Sequence, residues 1–358
     1  YRFDGKGWIH DKRAHIWSID PAAEAEPVCL TPGDCSENQI AWATDGSEVA
    51  FISARHDERF VDPGSQVWTV PAGGGEATAA TGVGAWALPS YDRSGSLYAI
   101  GRQERWAYPD VSPLQRRGEN GDFSVFTTVD RSLVTFAPAL APGGPQWLED
   151  GTALSTLEDS GRVRIVRIRT DGSVEDVIGG DRQITGISPS PDGTAAIFTA
   201  TSPAEPGDVW WWENGEERRL TDLNPGFAEA AGLVEPQRFS MDHHGVEIEG
   251  WVYLPEGDGK VPLLFNIHGG PATQYGYGFF DEFQVYVGAG YGVVATNPRG
   301  ASGYGSDFVR AVVGAWHEEM PPDLVDLVAT PDAAAARFPR LDTETMGVMG
   351  GSYGGFAT

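Results

Sequence analysis

Over residues 1 to about 235 the apolar positions fall in short bursts divided by turn residues. A turn carrying Asp and Gly leads into one apolar run and then a second, and the arrangement recurs. Its glycines are Gly46 (in WATDGSEVAFIS), Gly95 (SYDRSGSLYAIG), Gly151 (WLEDGTALSTL) and Gly193 (SPDGTAAIFTA), spaced 49, 56 and 42 residues apart. The runs IWSID (residues 16–20), VWTVP (67–71), RVRIVRI (162–168) and DVWWWENG (208–215) mark the second strand of each unit. In the third, Val163 and Ile165 alternate with Arg162 and Arg164, the period of two expected of a half-buried strand. A period of this size, with four short strands per unit, predicts propeller blades. An irregular sandwich with coincidental Asp-Gly turns is the competing reading. Four blades follow residue 40, and residues 1–31 hold only the trailing half of another. A propeller closes its ring to remove exposed edges, so the chain is expected to begin inside one. Either the remaining strands lie upstream in a longer polypeptide, or the ring closes through an unusual pairing.

From about Phe239 the pattern changes. An edge hairpin (GVEIEGWVYLPEGDGK) precedes VPLLFNI at 261–267, a continuous apolar run of the kind buried on both faces in a parallel sheet. A helix is predicted over 279–289, a strand over 291–297 (YGVVATN), helices around 304–314 and 322–338, and a strand over 346–349 (MGVM). Strands alternating with helices specify an α/β layer architecture with right-handed crossovers. The division expected is therefore a partial β-propeller over residues 1–236, starting mid-blade with about 4 to 5 blades present. The N-terminal part of an α/β-hydrolase domain with a mostly parallel sheet follows over 237–358, cut just after its nucleophile turn.

Composition narrows the function. The 358 residues carry a net charge of −26, and only three of the 25 basic residues are lysine. Such a field repels phosphate backbones and anionic lipid, which argues against nucleic-acid and membrane partners. The acidity reads as a solvated surface, with attraction of free-amine substrates as the sharper alternative. Cys29 and Cys35, separated by five residues, are too few for a disulfide framework and lack the neighbours of a zinc site. They are expected to be reduced, and no metal or cofactor is expected. The long uncharged stretches are broken by Pro and Gly, as between Ser132 and Leu148, so none reads as a spanning helix. The chain opens YRFDGKGW, without the apolar core of a secretory leader, and a cytoplasmic enzyme is the expectation.

The chemistry is concentrated near the end. MGVM runs into Gly350, Gly351, Ser352, Tyr353, Gly354 and Gly355, a GxSxG turn directly after an apolar strand. A serine presented at a sharp strand-to-helix turn adopts a strained backbone, and side chains two residues before and after it would collide with neighbouring elements. The helix that follows points its first amides at a developing oxyanion. At the end of an earlier strand stand His268, Gly269, Gly270 and Pro271. Loops of this type supply a second amide, because glycine lets the backbone approach a tetrahedral intermediate closely. The oxyanion hole is assigned to the N–H groups of Tyr353 and Gly270, with Gly269 as the alternative to the latter. His268 is read as a brace for the loop rather than as the base.

NIHGGP (266–271), NPRGASGYG (297–305) and GGSYGG (350–355) together resemble the catalytic domain of the prolyl oligopeptidase family of serine peptidases. Within the family, the acylaminoacyl-peptidase and dipeptidyl-aminopeptidase branch, in which a propeller precedes the hydrolase, is the most similar. The resemblance implies that Ser352 is the acyl-forming nucleophile and that the propeller restricts access to short or N-acylated peptides. It gives Arg299 and Tyr304 structural parts, the guanidinium tying adjacent loops together. Glu216 with Glu217 and Glu318 with Glu319 read as solvated faces. The Asp and His that the family places after the serine do not occur before Thr358. The 358 residues by themselves are therefore expected to be inactive, and to need a further C-terminal part of the hydrolase domain. A homo-oligomer is also expected. The alternatives are an esterase or lipase of the same fold, and a catalytically inactive propeller protein that binds partners.

Overall fold

The computed structural model describes residues 12–22, 25–104, 109–133 and 143–358. Its propeller part consists of antiparallel units whose turns follow from a recurring side-chain device. Asp45 Oδ1 accepts from the Ser47 N–H at 2.9 Å, Asp150 Oδ1 from Thr152 N–H at 2.9 Å and Asp192 Oδ1 from Thr194 N–H at 3.1 Å. Asp92 does the same for the Ser94 and Ser96 amides. An aspartate that captures an amide two residues on closes a turn locally. The glycine between then takes a left-handed backbone, with φ of 74° at Gly46, 83° at Gly95, 80° at Gly151 and 67° at Gly193. The repeat visible in the sequence is thus a repeat of turn chemistry.

Each turn joins the first and second strands of a four-stranded unit. The units comprise Glu37–Trp42, Glu48–Ser53, Gln66–Pro71 and Thr78–Ala79; then Ala85–Tyr91, Leu97–Arg102, Leu114–Arg117 and Phe123–Val125. A third holds Gln146–Trp147, Ala153–Asp159, Arg162–Ile168 and Val174–Ile178, and a fourth Gln183–Pro189, Ala195–Ser202, Glu205–Glu213 and Glu216–Arg219. A single parallel bridge, Val163 with Gln183, joins the last two. Trp17–Ser18 pairs with Val28–Cys29 as the trailing half-unit. Phe198, Trp212, Ile165 and Leu154 pack between neighbouring units in one buried cluster. Cys29 and Cys35 are free thiols.

The remaining sheet is built wholly from residues 237–350, and its elements are numbered here within that domain. The strands are β1 (Gln237–His243), β2 (Val246–Tyr253), β3 (Val261–Ile267), β4 (Gly292–Asn297) and β5 (Leu341–Gly350), in the spatial order β1-β2-β4-β3-β5. The helices are α1 (Asp281–Gly288), α2 (Ser306–Arg310), α3 (Pro322–Arg337) and α4 (Tyr353–Ala357). β3 runs parallel to both β4 and β5; Leu263, Phe265 and Ile267 are buried on one of its faces, and on the other Leu264 is half-buried and Asn266 buried. Three bounds differ from the sequence reading. The hairpin starts earlier, at Gln237, and turns at His244 and Gly245. The helix expected around 304–314 is only Ser306–Arg310, because the chain then passes through turns to a left-handed Gly314. β5 begins at Leu341 instead of residue 346. Among the described residues β5 pairs only with β3, and Met346 and Val348 are exposed along it. No described helix is long and apolar enough to cross a membrane.

The two parts meet glycine to glycine. The tip at Gly161 seats against Gly276, where a methyl group at position 276 would lie 2.0 Å from the Gly161 carbonyl oxygen. Tyr277 N–H donates to that oxygen at 2.9 Å, and Gly161 N–H donates to Gln274 Oε1 at 2.9 Å. Trp251 lies beneath the contact, fully buried and edge-on to Tyr277. Farther along, Asp130 accepts from Ser306 N–H, the first amide of α2, while Asp110 accepts from the Ser306 hydroxyl at 2.6 Å and from Arg310 at 3.0 Å. Gly276→Val should therefore lower unfolding stability by about 1–3 kcal/mol through overpacking. Gly259→Ala, which meets open space, should stay within about 0.5 kcal/mol. Urea denaturation monitored by Trp fluorescence checks both; equal effects would contradict a tight contact at Gly276.

Candidate active site

β5 carries the chain into the turn at Ser352, whose φ of 56° and ψ of −120° are a left-handed backbone unusual for a residue with a side chain. Neighbouring atoms impose this geometry. A methyl group at Gly350 would lie 2.5 Å from the Gly354 carbonyl carbon and 2.7 Å from the Ile267 carbonyl oxygen. At Gly354 it would lie 2.1 Å from that same oxygen. Both glycines of the GxSxG pattern are therefore packed against the end of β3, as the sequence reading required. Ser352 itself is exposed, and Gly354 N–H closes the turn onto the Gly351 carbonyl at 2.9 Å.

The loop after β3 comes up against this turn. A methyl group at Gly269 would lie 3.4 Å from Ser352 Cβ and 3.3 Å from the Gly351 carbonyl oxygen. Gly270 follows with φ of 119°, leading into Pro271. The N–H groups of Gly269 and Gly270 donate to no other group among the described residues. The sequence-assigned residues Ser352, Tyr353 and Gly270 thus lie on two adjoining segments, with Tyr353 at the first position of α4. A cavity of about 260 Å³ lies between the propeller and this domain, with Trp86, Ile100 and Val111 on one side and Ala272 and Val309 on the other. Ala272, two residues past Gly270, ties the cavity wall to the same loop.

His268 is a brace, as its position suggested. Its ring is buried, Nδ1 donates to the Gly269 carbonyl at 2.7 Å, and the Thr273 hydroxyl donates to the same carbonyl at 2.6 Å. Burial pushes its protonation down from the usual 6.5 to about 4, with the Gly269 hydrogen bond opposing. Arg299 makes a paired contact with Asp326 of α3, Nε to Oδ2 at 2.9 Å and Nη2 to Oδ1 at 2.8 Å, and also reaches the Pro322 carbonyl. His243 Nδ1 meets the same carboxylate at 2.9 Å. Tyr304 donates to Glu249 Oε2 at 2.7 Å and accepts from Asn297 at 3.0 Å. Of the acidic pairs read as solvated, Glu217 is bound by Arg182 through both oxygens, whereas Glu216, Glu318 and Glu319 are exposed. The sequence reading missed Asp323 and Trp316, which meet the Tyr353 phenol. Nothing in their local sequence distinguishes them.

Residues 277–358 match the model of the prolyl oligopeptidase family. An uncharacterized peptidase, YuxL, of Bacillus subtilis is 37% identical over 220 residues, which is 60% of this chain and 33% of that protein. A probable dipeptidyl-peptidase 5 of Aspergillus terreus is 27% identical over 364 residues, covering 94% of this chain and 49% of its own length. The structure of Pyrococcus horikoshii acylaminoacyl peptidase superposes over 96% of this chain and 52% of that one, with a TM-score of 0.76 at 24% identity. The propeller-plus-hydrolase fold is thereby shared. The chain spans about half or less of the length of these proteins.

Two outcomes follow from this geometry. Gly354→Ala should destabilise by about 1–3 kcal/mol, while Gly351→Ala, with open space around it, should be nearly neutral in the same denaturation assay. Because folded His268 binds its proton only near pH 4 whereas the unfolded ring does so near 6.5, the unfolded chain holds more protons in between, and stability falls as pH drops through that window. Roughly 3 kcal/mol of the acid loss is expected from this ring. His268→Gln should flatten the pH dependence of the urea midpoint over that range; an unchanged slope would contradict a buried neutral imidazole.

Proposed function

We propose that the protein is a serine peptidase of the prolyl oligopeptidase family, whose model matches residues 277–358, and that it hydrolyses short or N-acylated peptides through an acyl-enzyme on Ser352. The observation that carries this reading is the left-handed Ser352, exposed at a turn whose glycines pack on β3 and whose flank is the Gly269–Gly270 loop.

In this reading the Ser352 hydroxyl attacks the substrate carbonyl, and the N–H groups of Tyr353 and Gly270 receive the oxygen as it becomes anionic. A fixed amide pair stabilises that charge without reorganising. Collapse of the tetrahedral species expels the amine and leaves an ester on Ser352, which water then cleaves through the same geometry. The serine proton needs a base. His268 is unsuited to that task, since a ring protonated only near pH 4 is a weak acceptor and its Nδ1 is already engaged. The family order places the base after the serine, and no histidine occurs between Ser352 and Thr358. Residues 1–358 alone are accordingly proposed to be inactive. The propeller stands over the cavity at Ala272 and Val309, an arrangement suited to admitting short peptides and turning away folded proteins.

A fluorophosphonate probe applied to the protein at its full natural length should label it at Ser352, and Ser352→Ala should abolish the label. Residues 1–358 alone should label at least about 1,000-fold more slowly. Turnover of acetylated aminoacyl, dipeptidyl and p-nitrophenyl ester substrates should favour the peptides. Absence of labelling in the full-length protein would instead point to an inactive propeller protein, and a preference for the ester to an esterase.

A further inference from the structure

Four of the six residues from Gly350 to Gly355 are glycine. The turn therefore offers its surroundings only two side chains, and one of them, Ser352, has to stay free to react. Tyr353 is the side chain through which the rest of the domain can hold the turn. Its phenol donates to Oδ2 of Asp323 in a short hydrogen bond and accepts from Trp316 Nε1 at 2.9 Å. The Trp316 ring lies 6.4 Å from the Tyr353 ring, steeply inclined to it.

Asp323 sits in the first turn of α3 with none of its surface exposed. Its second oxygen, Oδ1, has no partner among the described residues, and no salt bridge reaches it there. A buried carboxylate with one oxygen unpaired works against stability, so stability alone gives no reason for an acid at this position. Asp326, one turn along on the same buried face, is different: Arg299 and His243 both bind it. What Asp323 supplies is a carboxyl oxygen held in one place by the burial of its helix face, an acceptor that fixes the direction of the phenol, the more so away from water.

We propose that Asp323 is a positioning residue for the hydrolytic site: by holding the Tyr353 phenol it fixes the first turn of α4, and with it the Tyr353 N–H that meets the oxyanion. The inference rests on Ser352 being the nucleophile. Asp323 touches no substrate atom and acts only through Tyr353. An amide displaced by a fraction of an ångström from the oxyanion loses its advantage in the transition state while leaving substrate binding intact.

The test is made on the protein at its full natural length. Asp323→Ala and Tyr353→Phe should each lower kcat by about 10- to 100-fold while KM stays within about 2-fold. The double variant should be no worse than the more damaged single one. Asp323→Asn, which keeps an acceptor for the phenol, should recover part of the loss. Hydrogen exchange of the segment 350–357 should speed up in Asp323→Ala and Tyr353→Phe, with the β3 segment unchanged. Losses that add in the double variant, an unaltered kcat per fluorophosphonate-titrated site in Tyr353→Phe, or unaltered exchange at 350–357 would each overturn the proposal. If the unsubstituted protein neither labels nor turns over, it is the peptidase reading that fails. The exchange measurement then still decides whether Asp323 holds the turn.

Discussion

The carbonyl oxygen of Ile267 organises the candidate site. β3 ends there, and Gly350 and Gly354 both pack onto it so closely that neither position has room for a methyl group. That contact bends the chain between β5 and α4 and leaves Ser352 in a left-handed conformation costing on the order of 1–3 kcal/mol. Such strain persists only where packing over-determines it, and here the packing comes from the interior of a parallel sheet. Leu263, Phe265 and Ile267 anchor β3 in the core, so the surface against which the turn is pressed does not yield.

The same strand end sets the second half of the site. Past Ile267 the chain runs through His268 into Gly269 and Gly270, and the buried imidazole pins the Gly269 carbonyl together with Thr273. A histidine in a serine-hydrolase-like site invites assignment as the base. Its burial and its hydrogen bonds make it a structural strut, and burial keeps it neutral over the physiological range.

Polar groups buried at depth tie this core to the rest of the molecule. α3 presents two sequestered carboxylates on one face, Asp326 to Arg299 and His243, and Asp323 to Tyr353. The propeller, for its part, grips the domain at Gly161 and through Asp110 and Asp130 at the start of α2. Asp110 also lines the cavity, so one of the contacts that hold α2 is part of the cavity wall.

How much of this was legible along the chain depends on how local each feature is. The Asp-Gly turns, the apolar run of β3 and the glycines flanking Ser352 are all written within a few residues, because an Asx turn, a two-sided buried strand and a sharp bend impose their demands on neighbouring positions. The sequence alone was therefore enough for the propeller units, the α/β sheet and the serine turn. It misjudged the ends of elements, such as the start of β5 and the length of α2, where tertiary packing decides how far a strand or helix runs, and it took the runs at 67–71, 162–168 and 208–215 as second in their units where they are third. Asp323 and Trp316 lie 30 and 37 residues from Tyr353, and Gly161 lies far from Gly276. Whether an aspartate on a helix faces water or a phenol depends on which elements the fold brings together. Only the tertiary structure settles that, because periodicity reports which face of an element is buried and carries no information about the partner it is buried against.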